Sequence, residues 1–188
     1  MRRFVILCLL ISNWTNQAQS KCVGTNRIDS LPKKNSKPQQ TLKTINYRGG
    51  LISFDIPKIW AEQYEDAGGG IFYEDIPNSG TLRVNVLTLK SKEGGSPLEV
   101  LKGGENRINQ KEYHSQSGDE ILEYLVRTKE NGTPITMFTL ACAHKTKQQD
   151  LLLAVFTWTI ETRFENQENY IREWDMIHSQ IQAVKFGR

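Results

Sequence analysis

The stretch Leu151-Leu152-Leu153-Ala154-Val155-Phe156-Thr157-Trp158-Thr159-Ile160-Glu161-Thr162 decides the fold. Leu152, Ala154, Phe156, Trp158 and Ile160 fall on one side of a chain with period two, the spacing of a strand. On the other side Thr157 and Thr159 are polar. Leu151, Leu153 and Val155 are not, so the first half is apolar on both sides. A strand of that kind belongs in the middle of a sheet with material packed over each face.

Reading outward from it, three more strands precede it over 112–116, 120–129 and 134–144, separated by turns at 117–119, 130–133 and 147–150. Asn131-Gly132 is the pair that a two-residue hairpin turn demands, because both positions take positive φ. Further upstream Leu82, Val84 and Val86 alternate with Thr81, Arg83 and Asn85 over 81–90, after the turn residues Pro77-Asn78-Ser79-Gly80. Another strand runs over 51–56 and is closed by Pro57. Between them, 60–65 reads two ways: Trp60 and Tyr64 suit one helical turn, and Trp60, Glu62 and Tyr64 suit one strand face. The turn chemistry of Asp66-Ala67-Gly68-Gly69-Gly70 and the strand-like 71–74 favour a hairpin.

Two helices are expected. Ser96-Pro97-Leu98-Glu99 is a helix start, with Ser96 as N-cap, Pro97 in the first helical position and Glu99 closing a capping box. Gly103 and Gly104 end or bend it, each costing about 1 kcal/mol relative to Ala. At the C-terminus, over 166–185, Tyr170, Trp174, Ile177, Ile181 and Val184 recur at spacings of four and three and form one apolar stripe. The fold class is therefore α+β: a mainly antiparallel sheet of about six or seven strands, a mid-chain helix and a C-terminal amphipathic helix.

Residues 1–20 read as a secretory signal. Arg2 and Arg3 are its positive start, 4–11 is an unbroken apolar octet, and Ala18-Gln19-Ser20 sets cleavage after Ser20. The octet is too short to span a bilayer. Residues 21–44 are polar, hold no aromatic residue and read as a flexible tether; 45–188 is the domain. The expected location is periplasmic or extracellular. The 188 residues carry 24 Lys and Arg against 21 Asp and Glu, and losing Arg2 and Arg3 brings the net charge of +3 down to +1. Without an excess of basic residues, no nucleic-acid partner is expected. Cys22 and Cys142 stay after cleavage. A bridge between them and a buried thiol with a separate tail thiol both remain open. Lys21 stands where a lipid anchor on Cys22 would need a small residue.

The opening Phe54-Asp55-Ile56-Pro57-Lys58-Ile59-Trp60, the Gly-bounded strand over 80–89, the turn at Asn131-Gly132 and the closing helix with its tail Ile177-His178-Ser179-Gln180-Ile181-Gln182-Ala183-Val184-Lys185-Phe186 come in an order that resembles the PsbP-like family. That family also includes DcrB-like bacterial envelope proteins and a eukaryotic Ran-binding import factor. The resemblance covers 47–187. It implies an α/β/α sandwich used mainly as a non-catalytic binding scaffold, with no catalytic motif to carry over.

The residues themselves offer little chemistry. His114, His144 and His178 are scattered, and no metal-binding spacing is present. Gly-x-Ser-x-Gly is absent. Gly68-Gly69-Gly70 lacks the Lys and helix of a phosphate loop and reads as a hairpin tip. Two arrangements remain for a hydrolase: the acidic hairpin, with Glu62, Asp66 and Glu74, and the strand pair Cys142 and His144. Against them stands a binding surface on the first hairpin, Trp60, Tyr64, Asp66, Tyr73 and Glu74, where aromatic and acidic residues adjoin. The leading expectation is an exported, non-catalytic binding module for an envelope or secreted protein, with no cofactor. A hydrolase is the alternative, and an immunity or chaperone protein against a secreted toxin is a special case of the first. Asn131-Gly132-Thr133 is in addition a glycosylation acceptor sequence.

Overall fold

The stretch that alternates so cleanly is strand β9, Asp150–Glu161, and it lies fourth of seven in an antiparallel sheet. The computed structural model describes residues 41–66, 68–90, 98, 106–115, 117–146 and 150–187, all within the unit formed by residues 39–188. On one side β9 pairs with β5 (Thr81–Lys90), then β4 (Gly70–Tyr73) and β3 (Ala61–Tyr64). On the other it pairs with β8 (Thr133–Lys145), then β7 (Glu120–Glu130) and β6 (Ile108–His114). The β7–β8 hairpin turns at Asn131 and Gly132 with φ of 49° and 83°, the left-handed pair that this dipeptide supplies at little cost.

The two faces of β9 serve two layers, as its residues require. Ala154, Phe156, Trp158 and Ile160 join Leu82, Val84 and Val86 of β5, and Ile121, Leu140 and Cys142, in the main core. Leu151 and Leu153 face the other way and pack with Leu122, Ala141, Ala143 and Leu98 in a second cluster. A fully buried side chain of this size contributes roughly 1.5–3 kcal/mol, so the central strand anchors both layers.

A second, three-stranded sheet lies over the main core. It is made of β1 (Leu42–Tyr47), β2 (Ile52–Pro57) and the two-residue β10 (Lys185–Phe186). Phe54 of β2 meets Phe156 and Phe72 edge to face at 5.2 and 5.6 Å, which joins the two sheets. Helix α1 (Glu168–Gln182) lies on the same face as this small sheet. Its expected stripe is the buried one: Tyr170, Ile177 and Ile181 are buried, and Trp174 stacks on Trp158 at 6.0 Å. Val184, just past the helix, is also core.

Several expectations are corrected. The strand read over 51–56 is β2, but it pairs in the small sheet rather than the large one. Its partner β1 starts at Leu42, three residues inside the segment read as tether; Ile45 and Tyr47 supply the buried side chains that hold it. Strand β6 starts at Ile108 rather than 112, because an edge strand with exposed Asn109, Gln110, Lys111 and Glu112 shows no alternation to read. Among the described residues there is one α-helix, at the C-terminal end, not two. The helix expected from Ser96 falls on 96–104, which apart from Leu98 lies outside the described residues. The same holds for the signal and for the tether up to residue 40.

Candidate functional site

The first hairpin forms as expected: Ala61 pairs with Tyr73 and Tyr64 with Gly70. Its five candidate residues do not form one surface. Trp60 is 2 % exposed and belongs to the main core, because the chain turns inward between β2 and β3 and drives the indole under the small sheet. Trp60 is therefore not a surface contact. The other four divide between the hairpin's two ends. Four residues of strand separate those ends by about 13 Å.

At the tip end stand Tyr64 and Asp66. Tyr64 is 56 % exposed, and its ring touches Phe72 edge-on at 6.1 Å. Its hydroxyl donates to Glu62 Oε2 at 2.8 Å, and burial together with that carboxylate pushes its pKa up to about 12. Glu62 is also paired to Lys43 Nζ at 2.8 Å, and the bond from Lys43 holds its carboxyl below the ordinary value. Glu65 pairs with Arg83 at 3.2 Å. Beneath them, the single Tyr47 hydroxyl lies within hydrogen-bond distance of the carbonyls of Gly68 and Val84, at the junction of the tip and β5. Asp66 is exposed. Glu62 and Glu65 are thus paired with cations, and among the described residues Asp66 and Glu74 are not. Asp66 and Glu74, at opposite ends, exceed the roughly 5–10 Å that two glycosidase-type carboxylates need.

The Cys142 and His144 pair fails as a nucleophile and base. Cys142 is a free, buried thiol in the main core, and burial, with Asp119's charge adding to it, pushes it up to about 12. The attacking species is the thiolate, which that environment suppresses. His144 Nδ1 is 2.6 Å from Asp119 Oδ1, and its ring stacks on Phe186 at 4.8 Å. Asp119 also accepts from the Ser117 hydroxyl. This group holds the C-terminal strand in place.

A further polar cluster joins α1 to the sheet edge. Tyr113 Oη donates to Glu123 Oε2 at 3.3 Å and lies 3.2 Å from His178 Nε2, and Gln182 donates to it at 3.2 Å. Burial pushes Tyr113 up to about 12, so its hydroxyl stays protonated. It ties the edge strand β6 to the helix. No group of three or more potential metal ligands occurs among the described residues.

The other end of the hairpin is different. There β2 and β4 finish, β3 and β5 begin, and β9 runs out into the short turn that leads to α1. Tyr73 and Glu74, both half-buried, belong to it. So do three exposed isoleucines from separate segments: Ile59 at 65 %, Ile76 at 53 % and Ile171 at 45 %. Tyr170 donates its hydroxyl to the carbonyl of Asn78 at 2.6 Å, which fixes the β4–β5 loop against the first turn of α1. Glu173, on the next turn, has its carboxyl pushed up to about 7, first by burial and then by the charge of Glu74.

The sequence reading missed Ile171 and Glu173. A signal was present. On the helical wheel Ile171 is the isoleucine outside the stripe of Tyr170, Trp174, Ile177 and Ile181, and Glu173 flanks that stripe on the opposite side.

The class of fold these elements define is PsbP-like. The particular structures it is similar to include LpqN, described as involved in cell envelope biogenesis of Mycobacterium tuberculosis, with TM-score 0.55, 11 % identity, and coverage of 79 % of this chain and 91 % of that one. Cyanobacterial PsbP (CyanoP) from Synechocystis sp. PCC 6803 gives TM-score 0.51 and 12 % identity over 84 % of this chain and 99 % of that one. A protein of Bacteroides thetaiotaomicron VPI-5482 gives TM-score 0.53 and 16 % identity over 78 % of this chain; the chain spans about half of that protein, 48 %. No family model and no curated protein matches the chain.

Proposed function

We propose that the chain is exported by its leader, residues 1–20, and acts in the periplasm or outside the cell as a non-catalytic module that binds a protein. The observation that carries this is the end of the sheet where Ile59, Ile76 and Ile171 are left exposed by three separate segments of an otherwise well-buried fold. Apolar side chains gathered at one end mark a contact surface more often than isolated ones do. The reading moves the binding site from the hairpin tip to the opposite end and keeps Tyr73 and Glu74 in it. An envelope setting agrees with that given for LpqN. The thiol and carboxylates that a hydrolase would use are buried, paired or too far apart.

The test has two parts. The full chain, tagged at the C-terminus and produced in a secreting bacterium, should be recovered outside the cytoplasm with its first residue after Ser20. A photo-crosslinking side chain placed at Ile76 or Ile171 should then give discrete adducts that the same group at Lys111 or Thr133 does not. Cytoplasmic retention would refute the export reading. Equal labelling at all four positions would refute the surface.

A further inference from the structure

Among the described residues the two sheets end in β3 and β6 and in β1 and β10, and these edges are not guarded alike. An open edge offers unpaired N–H and C=O groups to any extended chain; short length, charge, proline and bulges are what close it. On the large sheet β3 has four residues. β6 shifts register between Ile108 and Lys111, holds Asn109 at φ 55° and carries Lys111 and Glu112. On the small sheet β10 has two residues, one of them Lys185. β1 has none of these devices. It runs six residues in unbroken register on β2, with no proline and no residue at positive φ. Lys58 donates to the carbonyl of Thr41 at 2.8 Å, which fixes the phase of the ladder. Lys43, Ile45 and Tyr47 therefore bond to β2, and Leu42, Thr44 and Asn46 direct their N–H and C=O groups outward. Those three residues are exposed and uncharged. The one charge of the strand, Lys43, is tied back to the carbonyl of Trp60 at 2.7 Å and to Glu62 at 2.8 Å. Among the described residues nothing pairs with this edge.

We infer that β1 pairs antiparallel with β1 of a second copy of this chain, about a two-fold axis at Thr44, and joins two three-stranded sheets into one. The inference does not rest on the docking surface proposed above. The edge is complementary to itself. With Thr44 opposite its own mate, Leu42 faces Asn46 of the second copy, and no charge is set against a like charge. Asp55, which accepts from Thr44 Oγ1 at 2.6 Å, is the acid on the outer face of β2. It and its mate would stand three strand spacings apart, about 14 Å, beyond the ~8 Å over which salt screens such charges. Each of the three outward residues gains one donated and one accepted backbone bond. The pairing uses the same edge on both copies, so the assembly closes at two. Sheets commonly hold about four to six strands, and doubling the small sheet brings it into that range. A single strand pair is a small contact, so the dimer forms in proportion to concentration.

Sedimentation equilibrium of the chain as purified from its host, at concentrations up to about 1 mM, should show a reversible dimer. Thr44→Lys sets two lysines opposite each other and should weaken the dimer about tenfold at low salt and less at high salt. Thr44→Pro removes an outward N–H from each copy and should leave a monomer. An edge strand accepts proline where its N–H faces solvent, so circular dichroism should show this variant folded; if it is not, Thr44→Lys decides. Thr44→Val should remain a dimer. The register has its own test, in a Cys22→Ser background. Thr44→Cys should oxidise to a cross-linked dimer. Leu42→Cys and Asn46→Cys should each cross-link poorly, and a mixture of the two should cross-link well. Amide exchange at Leu42, Thr44 and Asn46 should slow as the dimer forms. A chain that is monomeric at every concentration overturns the inference, as does a dimer that survives Thr44→Lys unchanged at low salt. Protection of those three amides in the monomer would mean that the chain covers its own edge, and would overturn it too.

Discussion

Replacing Glu173 by Gln should stabilise the domain in a way that depends on pH. Burial and Glu74 raise the carboxyl from 4.5 to about 7. At about 1.36 kcal/mol per pKa unit the full shift corresponds to about 3 kcal/mol. Glu173 is partly solvated, and screening reduces that to about 1–2 kcal/mol. The sign follows from proton binding. Between the unfolded and folded values the folded chain holds the proton and the unfolded chain does not, so stability falls as pH rises through that window. Above it the ionised carboxylate burdens the fold by the whole amount. The Glu173→Gln variant cannot ionise. Near pH 8 it should gain about 1–2 kcal/mol, a melting temperature higher by roughly 3–7 °C for a domain of this size, and near pH 4 it should gain almost nothing. Thermal unfolding followed by far-ultraviolet circular dichroism at both pH values measures this. A gain equal at both, or none at pH 8, would refute the claim that an uncompensated acid is held there. Glu74→Gln should give a smaller change of the same sign, because it removes only the second of the two causes.

Three other outcomes are expected. Cys142 should resist iodoacetamide in the folded protein at about pH 8.5, where a free thiol is half ionised, and react once the chain is unfolded in urea; mass spectrometry of the modified peptide decides between them. Gly80→Ala should cost about 1–3 kcal/mol in urea unfolding, since its added carbon would overlap the buried Trp158 indole and the core must shift to admit it. Glu165 is held below the ordinary carboxylate value chiefly by its bond from Arg127, with Thr136 also donating. Its contribution is present above the usual carboxylate range and is lost as pH falls through the lowered value, so Arg127→Gln should move the acid-unfolding midpoint upward. An unchanged midpoint would show that the pair adds nothing.

The large sheet was legible because its strands are long and their two faces differ chemically: β5 runs over the same 81–90 read from alternation, and β7, β8 and β9 start and stop within one residue of the expected bounds. The small sheet was not, because β1 draws on only two buried side chains, and a strand with Lys43, Thr44 and Asn46 in it has the composition of a linker. β10 is two residues long and has no pattern at all. For the site, proximity along the chain misled. Trp60 and Tyr64 are near neighbours in sequence, but one points into the core and the other out of it. Tyr64 and Glu74 bound one hairpin at opposite ends. The exposed isoleucines at residues 59, 76 and 171 come from three segments far apart in the chain, so no local pattern groups them at one end of the sheet.

Strand β10 has a consequence for how the molecule reaches this state. Phe186 pairs with Ile52, its ring rests on His144, and Gly187 donates to the carbonyl of Leu51. The small sheet is therefore closed by residues more than 130 positions away from the strand they complete. Pairings between residues so far apart form more slowly than local hairpins do. The hairpins β1–β2, β3–β4 and β7–β8 can form locally, but the second edge of β2 stays unpaired until the last residues of the domain arrive. Truncation after Val184 should therefore leave β1 and β2 paired with each other and one edge of β2 unpaired.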